Sequence, residues 1–372
     1  MKIGILTQPL QDNYGGIIQA YALQTILRTF GHETIILNRE KSDNIKVNCF
    51  VDLCKKIIRK VVGCPKNKSI GLYVSSYKIR KFISKYISVS PDFFSTDSIR
   101  KYSIQNSIDA FVVGSDQVWR PMYSPCITNY FLDFTEGLDV TRISYAASFG
   151  VDTWEYDSKD TIICSTLVKA FNQISVREIS GIKLCKDYLN IDASFVLDPT
   201  LLLEQKDYIR LFIGEQEKEC KGDMFCYVLD SSVEKERIIK YIERKKNYRS
   251  YFCNVNKQKT LFCGRQFIKP SLTHWLRCFY DAKYVVVDSF HGCVFSIIFN
   301  KTFIVIANKK RGVARFESLL SILGLQNRLI YDIKEIDNVL EKDIDWKYVH
   351  TILEKKKNES INYLKSSLND KC

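Results

Sequence analysis

Residues 288–299 read DSFHGCVFSIIF and follow directly on the apolar run AKYVVV, residues 282–287. A β-branched run that breaks at Asp288, Ser289 and His291 and then resumes as an apolar, helix-like segment is a strand handing over to a helix. In open α/β sheets, ligand-binding side chains sit at that junction, outside the carboxyl ends of the strands. The same residues serve equally well as an ordinary helix cap. Their neighbours in the sequence decide the fold, whichever role they play.

Upstream of this stretch, DMFCYVL (223–229) reads as a strand, 232–246 as a charged helix, SYFCNV as a strand and 271–282 as a helix. Downstream, TFIVIA (302–307) is a further strand and RFESLLSILGL an amphipathic helix. The N-terminal part repeats the alternation. Lys2 to Leu6 is a strand, TQPLQDNYGG a polar loop, and Leu23, Ile26, Leu27 and Phe30 recur with the period of a one-faced helix. Gly31 terminates it and ETIIL begins the next strand. DAFVVGSDQVW, RISYAASFG, NQISVRE and SFVLDP are four more strands with polar ends. Strands alternating with helices imply parallel sheets. The expected fold is therefore α/β, with two Rossmann-like parallel-sheet domains facing a cleft. The expected boundaries are an N-terminal domain at 1–198, a C-terminal domain at 199–340 and a closing helix at 341–372. An irregular basic insert spans 41–105. Within it, CFVDLCKKIIRKVVG places a basic amphipathic helix at 50–62, suited to an anionic membrane surface or to packing on its own domain.

Composition excludes several classes. Among 372 residues, 46% are hydrophobic, ample for large cores, and no stretch approaches the ~20 apolar residues of a membrane span. The beginning of the chain does not resemble a signal peptide. Thirteen cysteines form no C-x-x-C pair, and H-E-x-x-H is absent. They read as reduced thiols of a cytoplasmic protein, with no metal expected. Fifty-five Lys and Arg against 42 Asp and Glu give +13, which favours anionic partners. No nucleic-acid-binding signature accompanies that charge, so no nucleic-acid partner is expected.

Polar residues gather at the ends of the expected strands. Asn13, Tyr14, Gly15, Gly16 and Gln19 follow the first, with the glycines fitting either backbone approach to a ligand at a helix N-terminus or a tight turn. Ser115, Asp116, Gln117 and Trp119 follow a later one, where Asp116 fits both a base and an N-cap; Ser148 closes another. Arg177 leaves an apolar strand, and its planar fork suits phosphate, carboxylate or the adjacent Glu178. His291 is one of four histidines and suits proton transfer near neutral pH. Lys309, Lys310, Arg311 and Arg315 form either a solvated basic loop or the lining of an anion site.

Taken in order, NYGGIIQAYALQ, FVVGSDQVW, SYAASFG, SVRE, VLDPTLLL, DSFHGCVFS and RFESLLSILGL resemble the polysaccharide pyruvyl transferase family, from residue 1 to about residue 325. The resemblance implies a GT-B-like fold and phosphoenolpyruvate as donor substrate, with no cofactor and no metal. Members attach pyruvate as a cyclic ketal to a sugar, commonly across O4 and O6 of a hexose. By resemblance, His291 is catalytic and Arg177 holds the donor. Some members carry Arg-Leu-His where this chain has Ser289, Phe290 and His291. Ser289 and Phe290 thus take donor-side positions without that arginine, and Lys309 or Arg315 compensates by charge. The loop residues Asn13, Tyr14, Gly15, Gly16, Gln19, Ser115, Asp116, Gln117, Trp119 and Ser148 then face the acceptor. The expected acceptor is galactose of a bacterial surface or capsular polysaccharide precursor carried on polyprenyl pyrophosphate. Such an acceptor would bring the chain to the inner face of the membrane as a peripheral, cytoplasmic protein. A nucleotide-sugar glycosyltransferase and a non-catalytic sugar- or lipid-carrier-binding protein are the rival readings.

Overall fold

The computed structural model describes residues 1–41, 70–253, 268–308 and 311–369. The basic helix expected at 50–62 and the candidate Lys309 lie outside these residues. The N-terminal half runs β1 (Lys2–Leu6), α1 (Tyr14–Thr29), β2 (Glu33–Ile36), α2 (Ile70–Ser75), α3 (Tyr77–Tyr86), α4 (Thr96–Gln105), β3 (Ala110–Val113), β4 (Thr141–Ser144), α5 (Ser158–Leu167), β5 (Ser175–Val176), α6 (Ile179–Leu184) and β6 (Ser194–Phe195). The C-terminal half continues α7 (Gln205–Gly214), β7 (Met224–Tyr227), α8 (Val233–Lys246), β8 (Ser250–Phe252), α9 (Leu272–Asp281), β9 (Tyr284–Val287), α10 (Phe290–Ile298), β10 (Thr302–Ile306), α11 (Ala314–Ile322), β11 (Leu329–Ile330) and α12 (Ile336–Leu340). The long α13 (Trp346–Asn369) closes the described chain.

Each half is built on one parallel sheet. The first has the order β2-β1-β3-β4, and the second β11-β10-β9-β7-β8. All strand pairs in both are parallel. Single bridges from Ile143 to Gln173 and from Ala147 to Val176 carry the first sheet on to the β5–β6 pair. The central strands AFVV, MFCY and YVVV are buried along their whole length. This explains why they read as continuous apolar runs rather than alternating ones: a parallel sheet is covered on both faces. The expected α/β architecture with two parallel sheets is what the chain forms.

Two features were not legible beforehand. The basic insert, in which only the helix at 50–62 was expected, contains three further helices, α2 to α4, among its described residues. Helix α13 also returns to the N-terminal half. There Ser360 Oγ accepts a hydrogen bond from Leu197 N (3.0 Å), and the Tyr363 hydroxyl donates to Ser144 O (3.0 Å). Its charged outer face disguises it in the sequence, while Val349, Leu364 and Leu368 are buried. No helix among the described residues is long and apolar enough to cross a membrane.

Trp119 belongs to this scaffold and not to a ligand surface. It is fully buried, its indole N–H donates to Tyr130 O (3.0 Å), and its ring stacks on Phe131 with centroids 5.1 Å apart. The expected acceptor contact is therefore corrected: the aromatic ring fills the core beside the loop that carries Asp116. Replacing Trp119 by alanine is expected to cost about 3–5 kcal/mol of stability, read as a lower urea midpoint. A surface-binding tryptophan would leave that midpoint unchanged.

Candidate active site

The loops after β1 and β3 meet those after β7, β9 and β10 around one cavity. Its lining includes Asn13, Asp116, Ser289, His291, Arg311 and Arg315, so both sheets contribute their carboxyl-terminal edges. Its volume is about 90 Å³. Pockets for drug-sized ligands run to roughly 300–1,000 Å³, so the space suits one small anion.

His291 reaches the cavity because α10 begins at Phe290, directly after β9. Ser289 caps that helix, its hydroxyl accepting from Gly292 N at 3.1 Å. Asp288, which opened the polar break, is a clamp: its carboxylate accepts from Leu229 N (2.7 Å), Asp230 N (3.2 Å) and Lys235 Nζ (2.6 Å). The imidazole is 8% exposed, with Nε2 lying 3.6 Å from Asp198 Oδ2. That is an ion-pair distance beyond hydrogen-bond length, and Nε2 has no hydrogen-bond partner. On its other side stands the first turn of α1. A Cβ built on Gly15 would come within 2.2 Å of His291 Nδ1. Glycine is thus required there by the close approach of the ring, while Asn13 caps α1 by accepting from Gly15 N (3.1 Å).

Behind the imidazole lies a buried ionic group. Arg177, 2% exposed, donates from Nη1 to Asp198 Oδ2 at 2.7 Å and from Nη2 to Asp116 Oδ1 at 3.3 Å. Asp198 also accepts from Ser115 Oγ (3.2 Å) and from the Thr200 hydroxyl and N–H (2.6 and 3.0 Å). Burial alone would raise both carboxyls. For Asp198, His291, Arg177 and the Thr200 hydroxyl outweigh burial and hold the group well below the usual carboxylate range. For Asp116, attraction to Arg177, His291 and Arg315 outweighs burial and lowers the carboxyl. Asp116 sits at φ +75°, a left-handed conformation that costs energy outside glycine and clusters at functional sites.

Arg315 differs from its neighbours. It is 5% exposed and lines the cavity, yet it makes no ion pair among the described residues. Its Nη2 donates to Arg311 O (3.0 Å), and its Nε has no partner. Burial and repulsion from Arg177 push its guanidinium down to about 10, although Asp116 and Glu178 pull it up. Arg311, by contrast, is bound to both oxygens of Asp230 (2.6 and 3.1 Å). Phe290 has Arg177 at 4.6 Å and Arg315 at 5.5 Å from its ring centroid, so the ring supports two cations.

The expected site residues therefore separate. Asn13, Gly15, Asp116, Gln117, Ser289, Phe290, His291 and Arg315 come together at the cavity. Gly16 packs beside it, an added Cβ meeting Asp116 Oδ2 at 3.3 Å. Four others are engaged in holding the protein together. Gln19 spends its amide on Thr7, Gly16 and Ser115, and is fully buried. Ser115 gives its hydroxyl to Asp198. Ser148 gives its own to Glu178 Oε1 (3.1 Å). Tyr14 stacks on Trp275 and donates to Pro270 O (2.6 Å), joining the two halves. Arg177 is held by two carboxylates and is not part of the cavity wall. Glu178, the carboxylate offered as a partner for Arg177, instead accepts from Ser148, Phe149 and Gly150, and Arg177 pairs with Asp198, which the sequence reading left without a role. The signal for Asp198 was present in VLDPT, a carboxylate leaving a strand end as Asp116 does.

Against known proteins, a family model described as polysaccharide pyruvyl transferase matches residues 13–310. No curated protein matches the chain. Among solved structures, a protein from Listeria monocytogenes assigned as a UDP-N-acetylglucosamine 2-epimerase superposes with TM-score 0.54 at 8% identity, covering 99% of this chain and 97% of its own. Arabidopsis thaliana UGT89C1, complexed with UDP-L-rhamnose, gives 0.52 at 8% identity, with 98% and 97% covered. The UDP-GlcNAc 2-epimerase of Methanocaldococcus jannaschii gives 0.51 at 13%, with 94% and 95% covered. These likenesses establish the GT-B-like fold.

Two outcomes follow from the ionic group. Arg177→Ala leaves two buried carboxylates without their cation and is expected to cost about 3–5 kcal/mol, seen in chemical unfolding. The folded carboxyls of Asp116 and Asp198 lie below the unfolded value of about 3.9. Their contribution is therefore full above that value and lost as pH falls through their folded range. Glu178 acts with opposite sign, because burial raises its carboxyl despite Arg177 and Arg315. The urea midpoint should fall below about pH 4, and less steeply in Asp198→Asn. Equal slopes would show that this carboxylate does not carry the effect.

Proposed function

We propose that this chain, which belongs to the polysaccharide pyruvyl transferase family, transfers pyruvate from phosphoenolpyruvate to a sugar hydroxyl pair as a cyclic ketal. Supporting this reading above all is Arg315: a buried guanidinium with no ion pair among the described residues, at the wall of a small cavity that also holds His291. A buried unpaired cation is costly, and a bound carboxylate or phosphate removes that cost. Phosphoenolpyruvate carries both groups.

The chemistry fits the residues. Protonating the methylene carbon of the enol phosphate leaves an oxocarbenium-like centre at C2. A first sugar hydroxyl forms a C–O bond there and loses its proton. A second hydroxyl then displaces phosphate, whose C–O bond breaks, and loses its proton in turn. In this reading His291 gives the first proton and accepts later ones, a role worth roughly 10²–10⁴ in rate. Arg315 neutralises the donor and the departing phosphate. Asp198 and the α1 turn fix the imidazole. The acceptor we favour is galactose, pyruvylated across O4 and O6, on a polyprenyl-pyrophosphate-linked precursor of a bacterial capsular polysaccharide. The excess of basic residues suits a peripheral position at an anionic membrane face.

Incubation with phosphoenolpyruvate and a panel of aryl and lipid-linked galactosides should yield a pyruvyl adduct by mass spectrometry, with phosphate released only when both substrates are present. Consumption of a nucleotide sugar instead would overturn the proposal. His291→Ala should lower turnover at least about 10²-fold while donor binding persists. Arg315→Gln should weaken the donor by about 10- to 100-fold, as expected for losing a charge-assisted hydrogen bond; an unchanged titration would remove Arg315 from the donor site.

A further inference from the structure

A second group of reactive side chains gathers away from the cavity, on α9. His274 and Cys278 stand one helical turn apart and project from the same face. Cys220, from the loop after α7, meets them there, with its Sγ 3.3 Å from that of Cys278. One donor atom from each of Cys220, His274 and Cys278 lies within 4.8 Å of the others. Two thiols and an imidazole at one point are a donor set for a soft, tetrahedral ion, with one position left for solvent. With Zn–S bonds of about 2.3 Å, tetrahedral geometry sets the sulfurs about 3.8 Å apart, a small adjustment from the observed spacing.

The surroundings agree with this. Glu217 Oε2 lies 3.7 Å from His274 Nδ1, and its other oxygen accepts from the hydroxyls of Ser271 and Thr273. Carboxylates fixed beside an imidazole are what orients histidine ligands in metal sites. Asp281 Oδ2 holds the Cys220 backbone N–H at 2.8 Å and Arg277 Nε at 2.8 Å. A thiol pair alone would equally suit a disulfide; the supported imidazole beside it favours a cation.

We propose that Cys220, His274 and Cys278 bind a divalent transition-metal ion of the zinc type. The sequence pointed away from a metal because only the His274–Cys278 pair is local; Cys220 is brought in by the fold. An entering ion displaces the thiol protons of its ligands, so binding tightens as pH rises. The ion ties the loop after α7 to the helix whose Trp275 stacks on Tyr14 at 5.5 Å. It thereby braces the start of α1, where Gly15 faces His291.

Full-length protein, purified without chelator from zinc-supplemented medium, should carry about one equivalent of zinc by elemental analysis. After removal of that zinc, cobalt(II) should produce thiolate charge-transfer and tetrahedral absorption bands that weaken on acidification. Cys220→Ser, at a half-buried loop position, should abolish both signals with an unchanged circular dichroism spectrum. Cys126→Ser, at a half-buried cysteine outside this donor set, should preserve both. Wild-type protein without zinc and without cobalt bands would overturn the assignment, whether its thiols map as free or as a Cys220–Cys278 disulfide. Undiminished zinc in Cys220→Ser would overturn it equally.

Discussion

The carboxyl-terminal edge of the first sheet is held together by Arg177 between Asp198 and Asp116. These three residues follow β5, β6 and β3, so one guanidinium ties three strand ends into a single platform. Removing such charges from water is expensive, and it is compensated here because Asp198 is satisfied at both oxygens, by Ser115, Thr200 and Arg177. The arrangement leaves one negative charge in excess, and that charge faces the other half of the protein. There His291 Nε2 stands at 3.6 Å from Asp198 Oδ2. The platform therefore positions the imidazole while remaining behind it.

Close backbone approach does the rest. The first turn of α1 comes against the ring because residue 15 lacks a side chain. A second such approach joins the halves nearby: Gly312, at φ +83°, has its missing Cβ position 2.0 Å from Gly150 O. With the loops this near, the enclosed space is small. Arg315 is then a buried charge at the cavity wall with no ion pair among the described residues. In a low-dielectric cavity a bound anion gains far more from such a cation than it would at a surface.

The same logic separates scaffold from chemistry among residues of one type. Arg177, Arg311 and Arg315 all lie within this region, yet the first two are matched to carboxylates. Asp288, Asp198 and Asp116 all leave strand ends; Asp288 is consumed by Lys235 and two backbone N–H groups, and only the other two bear on His291. Burial and partner count, not residue type, assign these roles.

Much of this was legible in the sequence. The apolar runs at 110–113, 224–227 and 284–287 determined two parallel sheets, because only strands covered on both faces are apolar throughout. Strand-end position picked out His291, Asp116 and the Asn13–Gly16 turn, since open α/β sheets bind ligands there. The helices between 70 and 105 and the docking of α13 escaped notice, as their apolar positions are sparse among charges. Local sequence determines which element a residue begins or ends, because capping, periodicity and backbone preference act over a few neighbours. Only the tertiary structure decided that Arg177 is paired and Arg315 is not, that Trp119 is core, and that Cys220 meets Cys278. Those facts depend on which distant side chain occupies the few ångströms around each group, and no spacing along the chain contains that distance.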